Sequence, residues 1–264
     1  MRGRVLVVAG SDSGGGAGLQ ADIKTITALE GYAATAVTAL TAQNTLGVHK
    51  IQEVSVDFVE VQMSVVLGDI GADAIKSGML HRSELIRRVA RVISELPKRP
   101  GFVVDPVMYA KGGAALLEPN AVSALKSVLI PIADVITPNV PEAEALLGHS
   151  IENVEAMQAA AIELLSLGPG AVLLKGGHMQ GSKVIDILAY PGTLRTYSSP
   201  RLSTKNTHGT GCTLASAVAA GLAQEMSLES AVDRARQYVL GAIKNAPGFG
   251  SGHGPLNHSH NFSS

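Results

Sequence analysis

Tryptophan, cysteine and charge are scarce in this sequence of 264 residues. Trp is absent, there are only 5 Tyr and 4 Phe, and charged residues make up 16% of the chain. So few aromatic rings argue against a stacking platform for single-stranded nucleic acids. The formal net charge of -1 provides no basic surplus for binding a phosphate backbone. We therefore expect no nucleic-acid partner.

Cys212 is the single cysteine of the sequence. One cysteine excludes an internal disulfide and a cysteine-cluster metal site, and this usage is typical of the reducing cytoplasm, where we expect the protein. The apolar run Val5–Ala9 near the N-terminus is too short for a signal peptide. The uncharged windows Gly31–His49 and Asn206–Gln224 contain many polar residues, so we expect no membrane span.

Glycine and apolar residues are abundant instead. The chain has 29 Gly, and 46% of its residues are hydrophobic. The apolar share is too high for a disordered chain, and the glycine share exceeds the average of roughly 7%. The composition thus predicts a well-buried globular protein whose backbone needs conformational freedom in several loops.

Short apolar runs alternate with segments of helical period, which predicts a doubly wound α/β fold. We expect a central, mostly parallel sheet with helices on both faces, in a single domain over residues 1–264 with a loose tail after about Ala246. A hairpin at the sheet edge is expected around Pro191-Gly192. The predicted strands are Val5–Ala9, Thr35–Leu40, Ala74–Lys76, Phe102–Asp105, Val135–Thr137, Val172–Lys175, Lys183–Tyr190 and Leu194–Ser198. The predicted helices are Leu19–Leu29, Glu84–Leu96, Ala121–Leu129, Glu142–Leu147, Val154–Leu167, Thr213–Leu222 and Glu229–Ile243.

The loop Gly10–Gly18, after the first predicted strand, holds five glycines in nine residues. Its residue spacing does not match the Walker phosphate loop, the dinucleotide-binding fingerprint or the nucleophile elbow of esterases. A tight strand-to-helix turn alone would explain some of these glycines. Their density favours a close approach of backbone to ligand.

Polar residues follow the next predicted strands, where ligands of such sheets bind. Asp105 could hold magnesium through water, or it could be an ordinary strand-exit aspartate. Lys111 lies in a glycine-containing loop that could close over phosphate or be solvated. Asn139 and Glu142 have the spacing of a helix capping box, and such a helix N-terminus can also face phosphate or its metal. Lys175 ends a buried strand and needs a partner.

The segment Asn206–Thr213 leads into a small-residue helix and predicts an anion site. Gly209 and Gly211 lie in the turn, where backbone N–H groups and the positive end of the helix dipole would stabilise a phosphoryl group in transfer. Cys212 lies in the first helical turn, where that field lowers a thiol pKa and suits a general base. Alternatively, Cys212 is simply a small helix residue.

Taken together, these segments resemble the hydroxymethylpyrimidine/phosphomethylpyrimidine kinases of thiamine biosynthesis, within the ribokinase-like superfamily. The resemblance runs along nearly the whole chain, and the ordered set of motifs is highly specific. Its segments are Ala9–Asp12 with Gly15–Gly18, Gln20–Asp22, Thr41–Thr45, Lys76–Leu80, Asp105–Met108, Thr137–Asn139 with Pro141-Glu142, Lys175–His178, Lys205–Thr213 and Gly252–Pro255.

The resemblance implies two successive phosphoryl transfers from ATP with Mg²⁺, to 4-amino-5-hydroxymethyl-2-methylpyrimidine and then to its monophosphate. It implies that Gln43 hydrogen-bonds the aminopyrimidine edge, and that Cys212 stands where most sugar kinases of the superfamily have the base aspartate. The other pocket residues it implies are Gly10, Asp22, Met79 and Val107. Residues implied for ATP, phosphate and metal are Lys175, Asn139, Asp105, Glu142, and the anion-hole segment Thr207, His208, Gly209, Thr210 and Gly211.

Three other functions are compatible with parts of this pattern. A pyridoxine or pyridoxal kinase acts on a similar flat hydroxymethyl compound, and Cys212 does not separate the two. A non-catalytic nucleotide-binding regulator would not need both an anion site and a base. The failed dinucleotide spacing argues against a dehydrogenase. The superfamily makes a homodimer plausible.

Overall fold

Apolar runs form the strands of one nine-stranded sheet in the computed structural model, which describes residues 1–262. The strands are β1 (Arg4–Asp12), β2 (Tyr32–Asn44), β3 (Gly47–Glu53), β4 (Ala74–Ser77), β5 (Gly101–Val104), β6 (Val135–Ile136), β7 (Val172–Leu174), β8 (Lys183–Tyr190) and β9 (Thr193–Pro200). Their order across the sheet is β3-β2-β1-β4-β5-β6-β7-β8-β9.

In this order across the sheet, the five neighbouring strand pairs from β2 to β7 are parallel. Antiparallel strands flank them on both sides: β3 next to β2, and β8 next to β7. The chain moves outward from β1 to β2 and then returns to the other side of β1 for β4. Strand order therefore reverses at β1, and the carboxyl ends of β1 and β4 border the crevice where such sheets bind ligands. The predicted mostly parallel α/β sheet with an edge hairpin is confirmed.

Helices cover both faces because the parallel strands are apolar on both sides. Along β1, Leu6 and Val8 pack into one core cluster and Val5 and Val7 into the other. None of the helices within residues 1–262 combines the length and apolar character needed to cross a membrane. The helices are α1 (Gly18–Ala28), α2 (Val56–Asp69), α3 (Ser83–Ser94), α4 (Ala121–Ala124), α5 (Val140–Leu147), α6 (Val154–Leu165), α7 (Thr210–Ala223) and α8 (Leu228–Lys244).

Two elements, β3 and α2, have no counterpart among the predicted ones. The α2 sequence lacks a clean apolar stripe because Phe58, Val61 and Val65 are exposed while Val59 and Met63 are buried. The helix predicted at Ala121–Leu129 is instead a single α-helical turn, α4, followed by a π-helical turn.

The segment after Ala246 differs from the predicted loose tail. Leu256 and His258 are buried, and the Tyr238 hydroxyl donates to the His258 carbonyl at 2.7 Å. The backbone N–H of His208 donates to the carbonyl of Gly254 at 3.1 Å. This segment therefore braces the turn that precedes α7.

Candidate active site

A cavity of about 570 Å³ opens at the carboxyl ends of the parallel strands. All predicted site residues except Asp22 line it: Gly10, Gln43, Met79, Asp105, Val107, Lys111, Asn139, Glu142, Lys175, Thr207, His208, Gly209, Thr210, Gly211 and Cys212. Residues far apart in the chain meet there because each follows a strand that ends at the same edge of the sheet.

One end of the cavity is formed by the side chains predicted to hold a small ring. Gly10 leaves room for Met79, since a Cβ at this glycine would lie 3.1 Å from the Met79 Sδ atom. Val107 packs beside Met79 in the same small apolar cluster. Gln43 lies at the end of β2 and is partly exposed. This end combines apolar walls with one amide, which suits a flat heteroaromatic ring.

Asp22 lies behind the cavity wall instead of lining it. Its carboxylate oxygens accept hydrogen bonds from Lys76 Nζ at 2.9 and 3.0 Å, and Ser216 Oγ donates to it at 2.6 Å. Asp22 and Lys76 are fully buried. The carboxylate is thus occupied by a buried ion pair, and Lys76, not Asp22, contributes to the lining.

A second end of the cavity contains charged groups at the ends of β5 and β7. Lys175 Nζ lies 2.8 Å from Asp105 Oδ1 and 4.0 Å from Glu142 Oε2. Thr137 Oγ1 also donates to Asp105, at 3.1 Å. The buried strand-end lysine therefore has the acidic partners that its position requires.

The three charges shift one another's pKa values. Burial alone raises the pKa of Asp105, but the ammonium groups of Lys175 and Lys76 outweigh it and bring the pKa below its ordinary value. Burial lowers the pKa of Lys175, but Asp105 and Glu142 outweigh it, so the pKa is raised and the ammonium persists. For Glu142, burial and the nearby Asp105 raise the pKa to about 7, against the effect of Lys175.

The N-terminus of α5 has the predicted capping box. The Glu142 backbone N–H donates to Asn139 Oδ1 at 2.9 Å, and Glu142 Oε2 accepts from the Asn139 backbone N–H at 2.8 Å. The box directs this helix end and its carboxylate toward Lys175. Local capping and the site geometry therefore use the same two side chains.

Asp105 and Glu142 supply oxygen donors of the kind that Mg²⁺ prefers. No cluster of three or more His, Cys, Asp or Glu suited to a metal occurs within residues 1–262. Mg²⁺ commonly keeps several waters and binds through one or two carboxylates plus substrate phosphates. Two carboxylates in the lining of the same cavity therefore fit this ion.

The turn before α7 lies close to the charged groups. Gly209, the N-cap residue, has φ of 85°, and a Cβ there would lie 1.8 Å from the Gly16 carbonyl oxygen. A Cβ on Gly211 would lie 3.3 Å from Lys175 Nζ. Because the first N–H groups of a helix lack carbonyl partners inside it, the start of α7 at Thr210 presents donors beside the Lys175 ammonium.

The predicted low pKa of Cys212 is wrong for the protein without ligands. Burial, reinforced by the carboxylates of Asp22 and Asp105, raises the pKa of this thiol to about 12, against the effect of Lys76. The helix dipole predicted to favour a thiolate acts on a group that is largely removed from water. Cys212 therefore rests as a thiol in the cavity wall.

His208 and Lys111 differ in their placement. The His208 ring is buried, and its Nε2 lies 2.8 Å from Asp12 Oδ2, so this nitrogen faces a carboxylate and not the open cavity. Lys111 is exposed at the cavity mouth, in a loop closed by a hydrogen bond from the Ala110 N–H to the Ala114 carbonyl. Lys111 is thus available to an anion, while His208 is engaged in a protein contact.

Sequence reasoning assigned no role to several residues that shape the site. Asp186 accepts from the Gly176 N–H at 2.9 Å and from Arg236 Nε at 2.8 Å, which fixes the turn after Lys175. Arg201 donates to the Gly177 carbonyl at 2.9 Å. Their partners are distant in sequence, so no local motif marks them. Lys76 did leave a signal, as a lysine within a buried apolar strand.

The chain is similar to known proteins over nearly its whole length. Residues 12–257 match the family described as phosphomethylpyrimidine kinase. The chain is 46% identical over 259 residues to the hydroxymethylpyrimidine/phosphomethylpyrimidine kinase of Bacillus subtilis, covering 97% of this chain and 94% of that protein. It is 51% identical over 257 residues to the thiamine biosynthesis bifunctional protein ThiED of Geobacter sulfurreducens; the alignment covers 97% of this chain but only 52% of that longer protein.

A solved structure with a similar fold is the pyridoxal kinase from Staphylococcus aureus in complex with AMP-PCP. It superposes with a TM-score of 0.91 at 35% sequence identity and covers 99% of this chain and 95% of that one. This similarity agrees with the fold expected from the ribokinase-like resemblance.

Proposed function

Because the chain belongs to the phosphomethylpyrimidine kinase family, we propose that it phosphorylates 4-amino-5-hydroxymethyl-2-methylpyrimidine and then the resulting monophosphate, with ATP as phosphoryl donor. The observation that carries this proposal is that one cavity is lined by both groups of residues: Gln43 and Met79 border one end, and Lys175 and the turn before α7 border the other. A ring held at the first end would direct its hydroxymethyl group toward the second.

Recognition of the pyrimidine is assigned to the apolar end of the cavity. Met79 and Val107 would contact the ring faces, Gly10 would admit the ring close to the backbone, and the Gln43 amide would hydrogen-bond the aminopyrimidine edge. An amide offers one acceptor and two donor hydrogens, which match an edge with an amino group and a ring nitrogen. Asp22 acts from behind the wall by holding Lys76 in place.

Binding of ATP phosphates is assigned to Lys175, to Lys111 and, within the turn Thr207–Gly211, to the N–H groups of Gly209 and Gly211. The N–H groups of Thr207, His208 and Thr210 instead donate to protein carbonyls. AMP-PCP is an ATP analogue, so the nucleotide in the S. aureus neighbour supports ATP use. Asp105 and Glu142 would hold Mg²⁺, with Asn139 beside them at the α5 N-terminus. When bound, Mg²⁺ neutralises phosphate charge. Fixed N–H donors and the Lys175 ammonium supply charge stabilisation that needs no reorganisation.

Cys212 is our candidate for the group that accepts the hydroxyl proton. Because burial raises its pKa to about 12, the free protein does not hold a ready thiolate. The proposal therefore requires that ligand binding lower this pKa by bringing a cation closer to the thiol than the phosphate charges. In loose phosphoryl-transfer transition states the attacking oxygen forms little bond early, so a base is needed only late.

One assay tests the main proposal. Purified protein receives MgATP with the pyrimidine alcohol, its monophosphate or pyridoxal offered separately, and ADP release is measured. We expect turnover with both pyrimidines; no ADP release with either would refute the proposal. Pyridoxal is included because the S. aureus neighbour is a pyridoxal kinase.

A variant tests the role of the thiol. We expect Cys212→Ala to lower kcat by about 10²–10⁴, the usual share of general acid–base catalysis, with unchanged ATP affinity by calorimetry. Near-normal turnover would show that the thiol does not accept the proton.

A homodimer and a cytoplasmic location stay predictions; sedimentation and cell fractionation would test them.

A further inference from the structure

Asp12 is a buried carboxylate at the end of β1 that accepts hydrogen bonds from its own loop. The backbone N–H of Gly14 donates to Oδ1 at 2.8 Å. The N–H groups of Gly16 and Ala17 donate to Oδ2 at 3.1 and 2.8 Å. Burial alone raises the pKa of Asp12, but hydrogen bonds from His208 and Ala17 bring the pKa below its ordinary value. The carboxylate is therefore ionised and can only accept.

His208 brings the turn before α7 against this carboxylate. Its Nε2 lies 2.8 Å from Asp12 Oδ2, and the side chain is only 9% exposed. Gly16 leaves room for the ring, since a Cβ there would lie 2.3 Å from His208 Cδ2. Because Asp12 can only accept, His208 Nε2 must carry the hydrogen and donate to it.

The same imidazole nitrogen faces Gln43. One end of the Gln43 amide lies 3.4 Å from His208 Nε2, and the other end lies 3.0 Å from Thr41 Oγ1. Thr41 Oγ1 also lies 2.9 Å from the Ser11 carbonyl, which can only accept, so the single hydroxyl hydrogen points to Ser11. Toward Gln43, Thr41 thus offers an acceptor, and His208 offers the N–H that it already donates to Asp12 and can share with a second acceptor.

These two neighbours select one orientation of the amide. The structure places Nε2 at the His208 end, where two N–H groups would face each other. Exchanging the two amide ends, which have nearly the same shape, puts Oε1 toward the His208 N–H and Nε2 toward the Thr41 oxygen. The Thr41 contact is then a hydrogen bond, and the 3.4 Å contact becomes the weaker arm of a three-centre bond from the His208 N–H. The remaining Oε1 lone pair and Nε2 hydrogen are left for a ligand, in fixed order.

We propose that Asp12 and His208 are positioning residues for substrate recognition: Asp12 fixes His208 as an Nε2–H donor, and this donor fixes the Gln43 amide in the orientation that reads the aminopyrimidine edge. The inference rests on the proposed function, because it assigns Gln43 to the pyrimidine. His208 then acts on ring selectivity and not as a phosphate ligand. The backbone of Gln43 is tied to the same loop, since its N–H donates to Ser13 Oγ at 2.9 Å.

The test compares the full-length wild type with His208→Ala, His208→Gln, Gln43→Ala and the double variant His208→Ala/Gln43→Ala. His208→Gln retains an amide N–H near the position of Nε2. The control is His149→Ala, because the His149 ring is half exposed and forms a salt bridge with Glu163. For each protein, kcat and KM are measured with MgATP for the pyrimidine alcohol and for the same alcohol lacking the amino group. The Kd of each alcohol is also measured by calorimetry without ATP.

We expect His208→Ala to reduce the preference for the amino compound by about tenfold, mainly through KM and Kd, which is the effect of roughly one hydrogen bond. His208→Gln should restore most of the preference, and His208→Ala should have little further effect in the Gln43→Ala background. His149→Ala should match the wild type. Thermal unfolding of each variant confirms that it is folded.

Three results would overturn the inference: equal losses for both alcohols, additive effects of the two alanine substitutions, or a His208→Gln variant that resembles His208→Ala. A wild type that phosphorylates no pyrimidine would instead refute the proposed function, and that result appears before any variant is compared. The two failures are therefore distinguishable.

Discussion

Cys212 lies in the first turn of α7, where a positive helix end and partial burial in the cavity wall act on the same thiol. A helix end favours the thiolate, whereas removal from water disfavours it. Here burial prevails, and the pKa rises to about 12. The same competition raises the pKa of Glu142 to about 7, although Lys175 lies 4.0 Å away. At these two groups desolvation outweighs the nearby positive charge, whereas at Asp105 and Lys175 the charged neighbours outweigh desolvation.

Alkylation tests the state of the thiol. Because Cys212 is the only cysteine and its raised pKa keeps the thiolate fraction small, iodoacetamide should modify the free protein at pH 8 at least ~100-fold more slowly than it modifies glutathione. The rate should keep rising with pH above 9. A plateau below pH 9 would reveal a low-pKa thiolate, and Cys212→Ser supplies the unlabelled control.

Replacing Glu142 should change stability in a pH-dependent way. The folded pKa of about 7 lies above the ordinary 4.5, so the protonated form is favoured by folding. This contribution is complete below about pH 4.5 and is lost as pH rises through about 7. Glu142→Gln avoids the buried charge and keeps an oxygen for the capping box. It should therefore exceed wild-type stability by about 3 kcal/mol at pH 8 and by about 1 kcal/mol at pH 5.5.

The measurement is urea unfolding of the metal-free protein at the two pH values. Glu155→Gln, at the exposed first turn of α6, serves as the control and should change little. An advantage of Glu142→Gln that does not vary with pH would contradict the raised pKa.

At the scale of elements, the site depends on two loops that interlock. The loop between β1 and α1 meets the turn before α7 where the Gly16 carbonyl lies against Gly209. Gly209 needs its left-handed φ of 85° to begin the helix, and it needs the absence of a Cβ to admit the carbonyl. The start of α7 is therefore positioned by a neighbouring loop as well as by its own sequence.

Gly209→Ala should reveal this double requirement. Left-handed strain alone costs roughly 1–2 kcal/mol, and the collision with the Gly16 carbonyl must add to it. Gly192→Ala is the matched control, because Gly192 has φ of 76° at the β8–β9 turn with nothing within 4 Å. We expect Gly209→Ala to be the more destabilising in urea unfolding and to lose turnover. Equal destabilisation would contradict the interlocking.

At the scale of the whole molecule, the buried pair Asp22–Lys76 links three elements under the cavity. Asp22 belongs to α1, Lys76 to β4 and Ser216 to α7, and all three side chains are fully buried. Asp22 raises the pKa of Lys76 against the effect of burial, so the ammonium is retained. The cavity floor thus depends on a charge pair that joins helices of one face to the sheet.

Removing one partner of this pair should lower the free energy of unfolding far more than replacing both partners together. Lys76→Met or Asp22→Leu alone leaves a buried unpaired charge and should destabilise the protein by about 3–5 kcal/mol. The double variant should lose clearly less than the sum of the two. Urea unfolding measures the cycle. The half-exposed pair Arg195–Glu229 is the control, with an expected coupling of about 0–1 kcal/mol. Additive losses at Asp22 and Lys76 would show that the pair is not coupled.

Features that depend on local spacing could be predicted from the amino-acid sequence. Apolar runs such as Val5–Ala9 identified strands buried on both faces, and the spacing of Asn139 and Glu142 identified the capping box of α5. The order of polar residues after successive strands placed Asp105 and Lys175 at one sheet edge. Such patterns are legible because they involve neighbours along the chain. Helix α2 was not predicted, because its exposed apolar residues obscure the apolar stripe by which a helix is identified in the sequence.

The partners of the buried polar groups, in contrast, depend on how distant segments pack together. It directs Asp22 to Lys76 and away from the cavity, turns His208 toward Asp12, and surrounds Cys212 with enough protein to raise its pKa. Asp12 and His208 are separated by 196 positions along the chain. The pKa and the partners of a buried polar group depend on all of its neighbours in space. The local spacing of residues along the chain does not reveal those neighbours.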